Sequence, residues 1–409
     1  MHVDTDHLVM IEILAGVFLG VFLGTVSGLL PGIHANTLAG VLVSMQAVLL
    51  VLFGPLTLGA ALFSALITHT FVDNIPSTFL GVPDPDTALS VLPAHALCLE
   101  GNGEEAVRIS ALGSACAIAM AVPLSVIFYL LLPAAQPLID WGIGLLIVAV
   151  IGYMIVTSES PGWACAIFFS SGLLGLFTLS YGYVSWHWIN GGSALLMPLL
   201  AGLFGISVLA TASQGMIPAQ KYNGIRLDPR SVVRGSALGT AAGLAVGWLP
   251  GLSNATANGL LASTIGYSKD RRMYILATSA ANTANAFIGV AAFFAISRMR
   301  NGVMVALASI PIASPSGLFA AGVLAACIAY PLTLWLSTSA HRLGGINGRW
   351  LNGAVIIFVV VTSLILTGPF GGVILLLATL IGFVPPLVNV PRMYCMGAVM
   401  VPVILYSLM

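Results

Sequence analysis

The sequence predicts an all-α polytopic membrane protein, with about 12–14 hydrophobic segments in two homologous, inverted repeats that contain broken or re-entrant helices. Three observations predict it. Of 409 residues 59% are hydrophobic and only 6% charged, with a mean hydropathy of +1.05, whereas a soluble domain is about a quarter charged. Apolar runs at 8–30, 106–133 and 350–368 each reach the roughly 20 residues that cross a bilayer core. Finally, three landmarks recur in the same order along the chain.

The first run follows the acidic "MHVDTDH" and lacks a small-residue cleavage site, so it is expected to be a retained helix and not a signal peptide. Charge then divides the chain. Before residue 214 there are eleven acids and one base, Arg108; after it, twelve bases and two acids. Since Lys and Arg concentrate in cytoplasmic loops, 220–234, 269–272 and 341–349 are expected inside, and the acidic N-terminus outside. Cys98, Cys116, Cys165, Cys327 and Cys395 sit singly in apolar segments without metal-ligand spacing, as packing residues do.

The repeat begins with "GTVSGLLPGIHANTLAG" (24–40), which recurs as "GTAAGLAVGWLPGLSNATANGLLAS" (239–263), Pro31-Gly32 matching Pro250-Gly251 and Gly40 matching Gly259 at a spacing of 219 residues. Polar patches follow each copy, "THTFVDNIPSTFLG" (68–81) and "TSAANTANAFIG" (278–289). The third landmark pairs "ACAIAMAVPLSVIFYL" (115–130) with "ACIAYPLTLWL" (326–336). Two halves result, 1–213 and 214–409, joined by the basic 214–234 connector. An odd number of crossings per half inverts the second half against the first; an even number makes them parallel. Inversion agrees with an outside N-terminus and an inside connector.

Backbone that leaves the helix at membrane depth exposes amide and carbonyl groups that lipid cannot satisfy, so it is tolerated only against protein or a water-filled cavity. Paired breaks at equivalent positions in two halves are therefore the sequence signature of a transporter binding site, with half-helix N-termini turned towards the ligand. In the first half the candidate residues are Pro31, Gly32, His34 and Asn36 at the break, then Asp73, Asn74, Ser77 and Thr78. An ionisable group such as Asp73 is costly at that depth and functional by default. Three prolines and three aspartates within fourteen residues of Asp73 predict a re-entrant or extended segment there. In the second half the candidates are Pro250, Gly251 and Ser253 at the break, with Asn254 and Asn258 as an i, i+4 pair. Ser279, Asn282, Thr283 and Ala286 share a helical face, and Asn285 lies beside them. Their oxygens suit Na⁺ or an oxygen-rich solute. Arg298 has the planar donor fork that matches carboxylate or phosphate if it faces a cavity; in a loop it only sets topology.

With these motifs in view, the chain resembles the large membrane subunit of the tripartite tricarboxylate transporters, the TctA-like family. The residues that carry the likeness are "GLLPGIHANTLAG", "IPSTFLGVPDPDTALSVLPAHALCLEGNGEEAVRISALGS", "LPGLSNATANGLLA" and "TSAANTANA", concentrated in 20–114 and 239–290. Family features fall at Pro31-Gly32, Val82 to Asp86, Gly103 to Ile109 and Ala280 to Asn285. The resemblance implies uptake of a citrate-like carboxylate driven by a cation gradient, Na⁺ or H⁺. It also implies a small membrane subunit and an extracytoplasmic binding protein as partners.

A polyprenyl-phosphate flippase is the alternative, because "PGLSNAT" resembles the paired Pro-Gly-x-Ser motifs of another membrane family. The block from Pro83 to Ser114 fits the tricarboxylate family better. An intramembrane enzyme could draw on His34, His69, Asp73 or His95, with His69 and Asp73 at i, i+4, but no nucleophile motif or metal-ligand spacing supports it. No cofactor and no nucleic acid is implied, the partners being the lipid bilayer and a small organic anion. Self-association stays open.

Overall fold

The computed structural model describes residues 2–30, 38–39, 42, 46–81, 88–186, 195–211, 218–249, 254–265, 270–299, 301–312, 315–340 and 348–408. These are mostly helical and contain no strand; the longest described stretch without helix is 218–228. Seven described helices are long and apolar enough to cross a membrane: His7–Leu29, Leu49–Leu80, Gly103–Pro137, Pro161–Ser180, Arg271–Ile296, Ser316–Ser339 and Thr367–Leu387. Shorter apolar helices occupy Met197–Thr211 and Asn352–Ile365.

Helix α1 (His2–Leu29) and α2 (Gln46–Val72) are joined through the first Pro-Gly segment. Gly54, at φ 69°, with Pro55 beside it, kinks α2 near its start, a backbone state that glycine alone adopts without strain. Along α1, Gly16, Gly20, Gly24 and Gly28 rest in turn on Thr57, Ala61, Ala65 and Val72 of α2, so the two helices run parallel. A methyl group at Gly20 would overlap the Ala61 carbonyl. In lipid, where apolar surface gives no drive to associate, such close backbone approach supplies the packing.

The second half repeats this seam. Gly235, Gly239, Gly243 and Gly247 of α8 (Pro229–Trp248) rest on Met273, Ala277, Ala281 and Ile288 of α10 (Arg271–Ile296). Each glycine stands 219 residues after its counterpart. Between them, α9 (Asn254–Ile265) runs back antiparallel to α10: Asn254 meets Asn282, while Asn258 meets Tyr274. Asp228 caps α8 by accepting from Ser231 N at 3.0 Å, and Asp270 caps α10 through Met273 N at 3.0 Å.

After α2 come α3 (Asn74–Leu80), α4 (Ala88–Leu99) and α5 (Gly103–Val156). Within the stretch expected to be re-entrant or extended, residues 74–80 are not extended but form a helix despite Pro76. Proline is tolerated in a first turn, where its missing N–H would be unbonded anyway, and Ser77 Oγ reinforces the turn by donating to Asp73 O at 2.8 Å. Gly81, at φ 65°, ends α3. Residues 82–87 lie outside the described residues.

The halves interlock. The long α5 packs most extensively on α10, and α12 (Ser316–Ser339), which follows the short α11 (Gly302–Ala308), packs on α2. Gly113 of α5 abuts the Leu276 carbonyl, and Gly322 of α12 abuts Phe63. Helices α2 and α10 meet at the centre, where Phe63 pairs edge-on with Phe287 at 5.4 Å between ring centroids and Phe287 stacks on Phe319 of α12. The α2–α10 contacts run Phe63–Phe287, Thr70–Thr283, Asp73–Asn282, so these two helices are antiparallel. Residues 57–79 are buried without exception, as is 273–292 apart from Asn285. A helix apolar and buried on all sides is what the centre of a bundle requires.

A second cluster joins α6 (Pro161–Ser180), α7 (Leu196–Leu200, a π-helical Ala201–Ile206 and Ser207–Thr211), α13 (Gly348–Leu387) and α14 (Gly397–Leu408). Pairs again form across the halves: Gly175 on Ala398, Gly382 on Leu203.

Candidate functional site

Polar side chains collect where α2 turns into α3 and faces α10. Asp73, at the turn, is 4% exposed. Its Oδ1 accepts from Asn74 Nδ2 at 2.9 Å and its Oδ2 from Asn282 Nδ2 at 3.5 Å. Asn282 Oδ1 in turn accepts from Asn254 Nδ2 at 2.6 Å. A carboxylate of the first half is thereby linked through α10 to the first residue of α9, next to the second Pro-Gly pair. Asn282 lies at the middle of the 26-residue α10, about 17 Å from its start, which is mid-depth in a bilayer core of about 30 Å.

Hydroxyls and an imidazole extend the patch. Thr70 and Thr283 are 3.0 Å apart at the helix crossing. Ser27 Oγ of α1 lies 3.0 Å from His69 Nδ1. Thr78 gives its carbonyl to His95 Nδ1 at 2.8 Å. Thr70 and Ser27 also donate to their own helices, at Ile67 O and Gly24 O, which makes their burial affordable.

The sequence-derived candidates divide accordingly. Asp73, Asn74, Asn282 and Asn254 come together, with Ser77 and Thr78 in the adjoining turns of α3. Asn258 is buried one turn along α9, its carbonyl accepting from Tyr274 OH at 3.0 Å. Asn285 is half-buried beside Gly247 of α8. Arg298 is not brought to the cluster: it follows the C-terminus of α10, where its N–H closes on Ala292 O at 3.4 Å, about 21 Å in helix rise beyond Asn282. Pro31, Gly32, His34, Asn36, Pro250, Gly251 and Ser253 lie outside the described residues.

Sequence reasoning missed a polar assembly at the other end of α10. Arg272 makes a two-pronged contact with Glu105 of α5, both N···O distances 2.8 Å, and Glu105 Oε1 also accepts from Arg226 N at 2.8 Å. Arg271 reaches Glu100 at 2.7 Å. The connector is fastened here: Gln220 Nε2 donates to Cys98 O, Lys221 N to Gly101 O, and the Arg108 guanidinium stands 4.4 Å from the Tyr222 ring centre. The one available signal was that Glu105 and Arg272 are charges just inside helix starts; their partnership spans 167 residues.

Among the described residues no three His, Cys, Asp or Glu side chains converge to hold a multivalent metal. What the cluster offers is one carboxylate and neutral amides and hydroxyls at mid-depth, able to bind a monovalent cation or hydrogen-bond an organic solute. With that geometry in place, the comparison with known families is decisive: the tripartite tricarboxylate transporter TctA family matches over residues 14–397. The chain belongs to that family. It is thus a component of a tricarboxylate transporter and a multi-pass membrane protein, not an enzyme. An uncharacterized protein of Methanocaldococcus jannaschii is 29% identical over 279 residues, which cover 67% of each chain. No solved structure matches.

Proposed function

We propose that this TctA-family chain is the translocating unit of a secondary transporter that carries a small di- or tricarboxylate, driven by Na⁺ or H⁺. The two halves act as inverted repeats, and the anion binds where the Pro-Gly breaks meet the Asp73–Asn282–Asn254 chain. The antiparallel crossing of α2 and α10 supports inversion, since the two occupy equivalent places behind matching glycine seams. One observation carries the binding reading: a buried carboxylate of one half is bonded through Asn282 to the N-terminal residue of α9 in the other, at mid-depth. Free N–H groups and the helix dipole favour an anion at such an end. In the cell the chain works with a small membrane subunit and an extracytoplasmic binding protein, as the family's tripartite name implies.

The test is a thermal-shift series on the purified chain in detergent, against citrate, succinate, phosphate and polyprenyl phosphate, with and without Na⁺ and across pH. A ligand that binds the native state raises its stability by mass action. Stabilisation by a carboxylate, strengthened by Na⁺ or acid and lost in Asn254→Ala, is expected. A shift with polyprenyl phosphate alone would replace this reading with lipid-carrier transport.

A further inference from the structure

The hydrogen-bond chain that starts at Asp73 has a direction. A carboxylate can only accept, so Asn282 presents Nδ2 to Asp73 and keeps Oδ1 for Asn254, which must use its own Nδ2. That leaves Asn254 Oδ1 as the terminal group. It is an acceptor on a side chain 2% exposed, at the first residue of the twelve-residue α9, and it has no hydrogen-bond partner among the described residues. An unpartnered acceptor beside a helix N-terminus opposes the anion that the helix end would otherwise attract.

We infer that Asp73, Asn282 and Asn254 form an amide relay that couples cation binding to anion binding by reversing its hydrogen-bond polarity. The inference deepens the proposed function and rests on its reading of a cation-coupled anion site. When a cation neutralises Asp73, the carboxylate no longer demands a donor. A proton on Oδ2 itself donates to Asn282 Oδ1; Na⁺ between the two residues is coordinated by the same oxygen. Either way Asn282 turns its amide over and offers Nδ2 to Asn254 Oδ1. Asn254 turns in response, and its Nδ2 becomes the terminal group. The acceptor beside the α9 N-terminus is exchanged for a donor, which joins the free helical N–H groups in holding a carboxylate. Amide oxygen and NH₂ are close in size, so both rotations proceed without repacking. The proton or Na⁺ that enters is released unchanged when the anion leaves, because the coupling is reciprocal.

The charged and titratable groups on the described elements around Asp73 are as follows. His69 stands one turn earlier on α2 and contacts Ser27 of α1, whose acids lie in its first three turns. His95 of α4 is held by Thr78 O. Helix α11 has no titratable side chain, and α12 has only Cys327 and Tyr330. Glu104, Glu105, Arg108, Arg271 and Arg272 are paired at the starts of α5 and α10, with Arg272 about 15 Å in helix rise from Asn282.

The experiment is calorimetric titration of citrate into the full chain in nanodiscs, in separate pH and Na⁺ series. For the unmodified chain, citrate affinity should rise about tenfold or more as the coupling cation saturates, and the series that moves identifies the cation. Asp73→Asn places a permanent amide donor where the neutralised carboxylate would be. This variant should bind citrate as tightly as the cation-saturated chain, with neither pH nor Na⁺ altering affinity beyond about twofold. Asn282→Leu cuts the relay but keeps Asp73; its citrate affinity should no longer respond to pH or Na⁺ beyond about twofold, and it decides the matter if Asp73→Asn does not fold. Cation dependence surviving in either folded variant, or loss of citrate binding in Asp73→Asn alone, overturns the relay while leaving the anion site standing. Absence of citrate binding by the unmodified chain in every series overturns the site reading itself, and the relay with it.

Discussion

Thr70 of α2 and Thr283 of α10 bring their hydroxyls to 3.0 Å at the point where the two central helices cross in opposite directions. Thr70 Oγ1 also reaches Ile67 O at 2.8 Å, so it keeps a partner if Thr283 is lost. Thr283→Val is therefore expected to cost about 0.5–1.5 kcal/mol of stability. In a double-mutant cycle, Thr70→Val with Thr283→Val should cost less than the sum of the two, because the bond they share is lost only once. Chemical unfolding in mixed micelles measures both; strict additivity would mean that the pair does not interact.

The glycine seams make a sharper demand. A side chain at Gly239 runs into the Ala277 carbonyl and the Ala280 methyl, both on a buried, inflexible face. Gly239→Val should destabilise the chain by about 3 kcal/mol or abolish folding, through forced separation of α8 and α10. Gly353→Ala is the control, since a methyl group there meets nothing within 4 Å. Size-exclusion profiles of fluorescent fusions would rank the two.

Glu105 is 2% exposed and Arg272 24%. Removing the arginine alone, as in Arg272→Met, leaves a buried carboxylate with only the Arg226 N–H, at an expected cost of about 2–4 kcal/mol. Glu105→Gln in the same chain should recover much of that loss. A thermal melt of the single and double variants distinguishes this from simple loss of side-chain packing, which the second substitution could not repair.

Membrane sidedness follows from α10, whose 26 residues span about 39 Å. Its start, with the basic 220–234 connector bound beside it, belongs to the cytoplasm by the positive-inside rule. Met299, just past its end and 55% exposed, is then extracytoplasmic. In a cysteine-free background, an impermeant maleimide should label Met299→Cys in intact cells and Tyr222→Cys only after permeabilisation. The reverse pattern would invert the orientation.

Much of this was legible in the sequence, for identifiable reasons. The membrane-spanning helices were legible because long apolar runs with few charges have no other use for so much hydrophobic surface, and Asp73, Asn282 and Asn254 stood out as polar groups in apolar surroundings. The same 219-residue offset relates the two sets of four glycines, though their role as a contact seam emerges only when α1 meets α2 and α8 meets α10. Breaker density misled at Pro76, whose place in a first turn removes the penalty. Arg298 was a candidate by chemistry, but its position along α10 takes it away from the cluster. Glu105 and Arg272 could not be paired in advance, since neither sequence neighbourhood encodes where the other helix will lie.

The exchange of α5 and α12 between halves has a consequence for biogenesis. Helix α5 leaves the ribosome well before α10, its principal partner, and α2 is inserted long before α12 covers it. The face of α2 around Phe63 and Ser64, where Gly322 and the Ala321 carbonyl of α12 come to rest, thus lacks its final packing until more than three hundred residues have been synthesised. Completion of the core is therefore late and non-local, set by helices far apart in the order of synthesis.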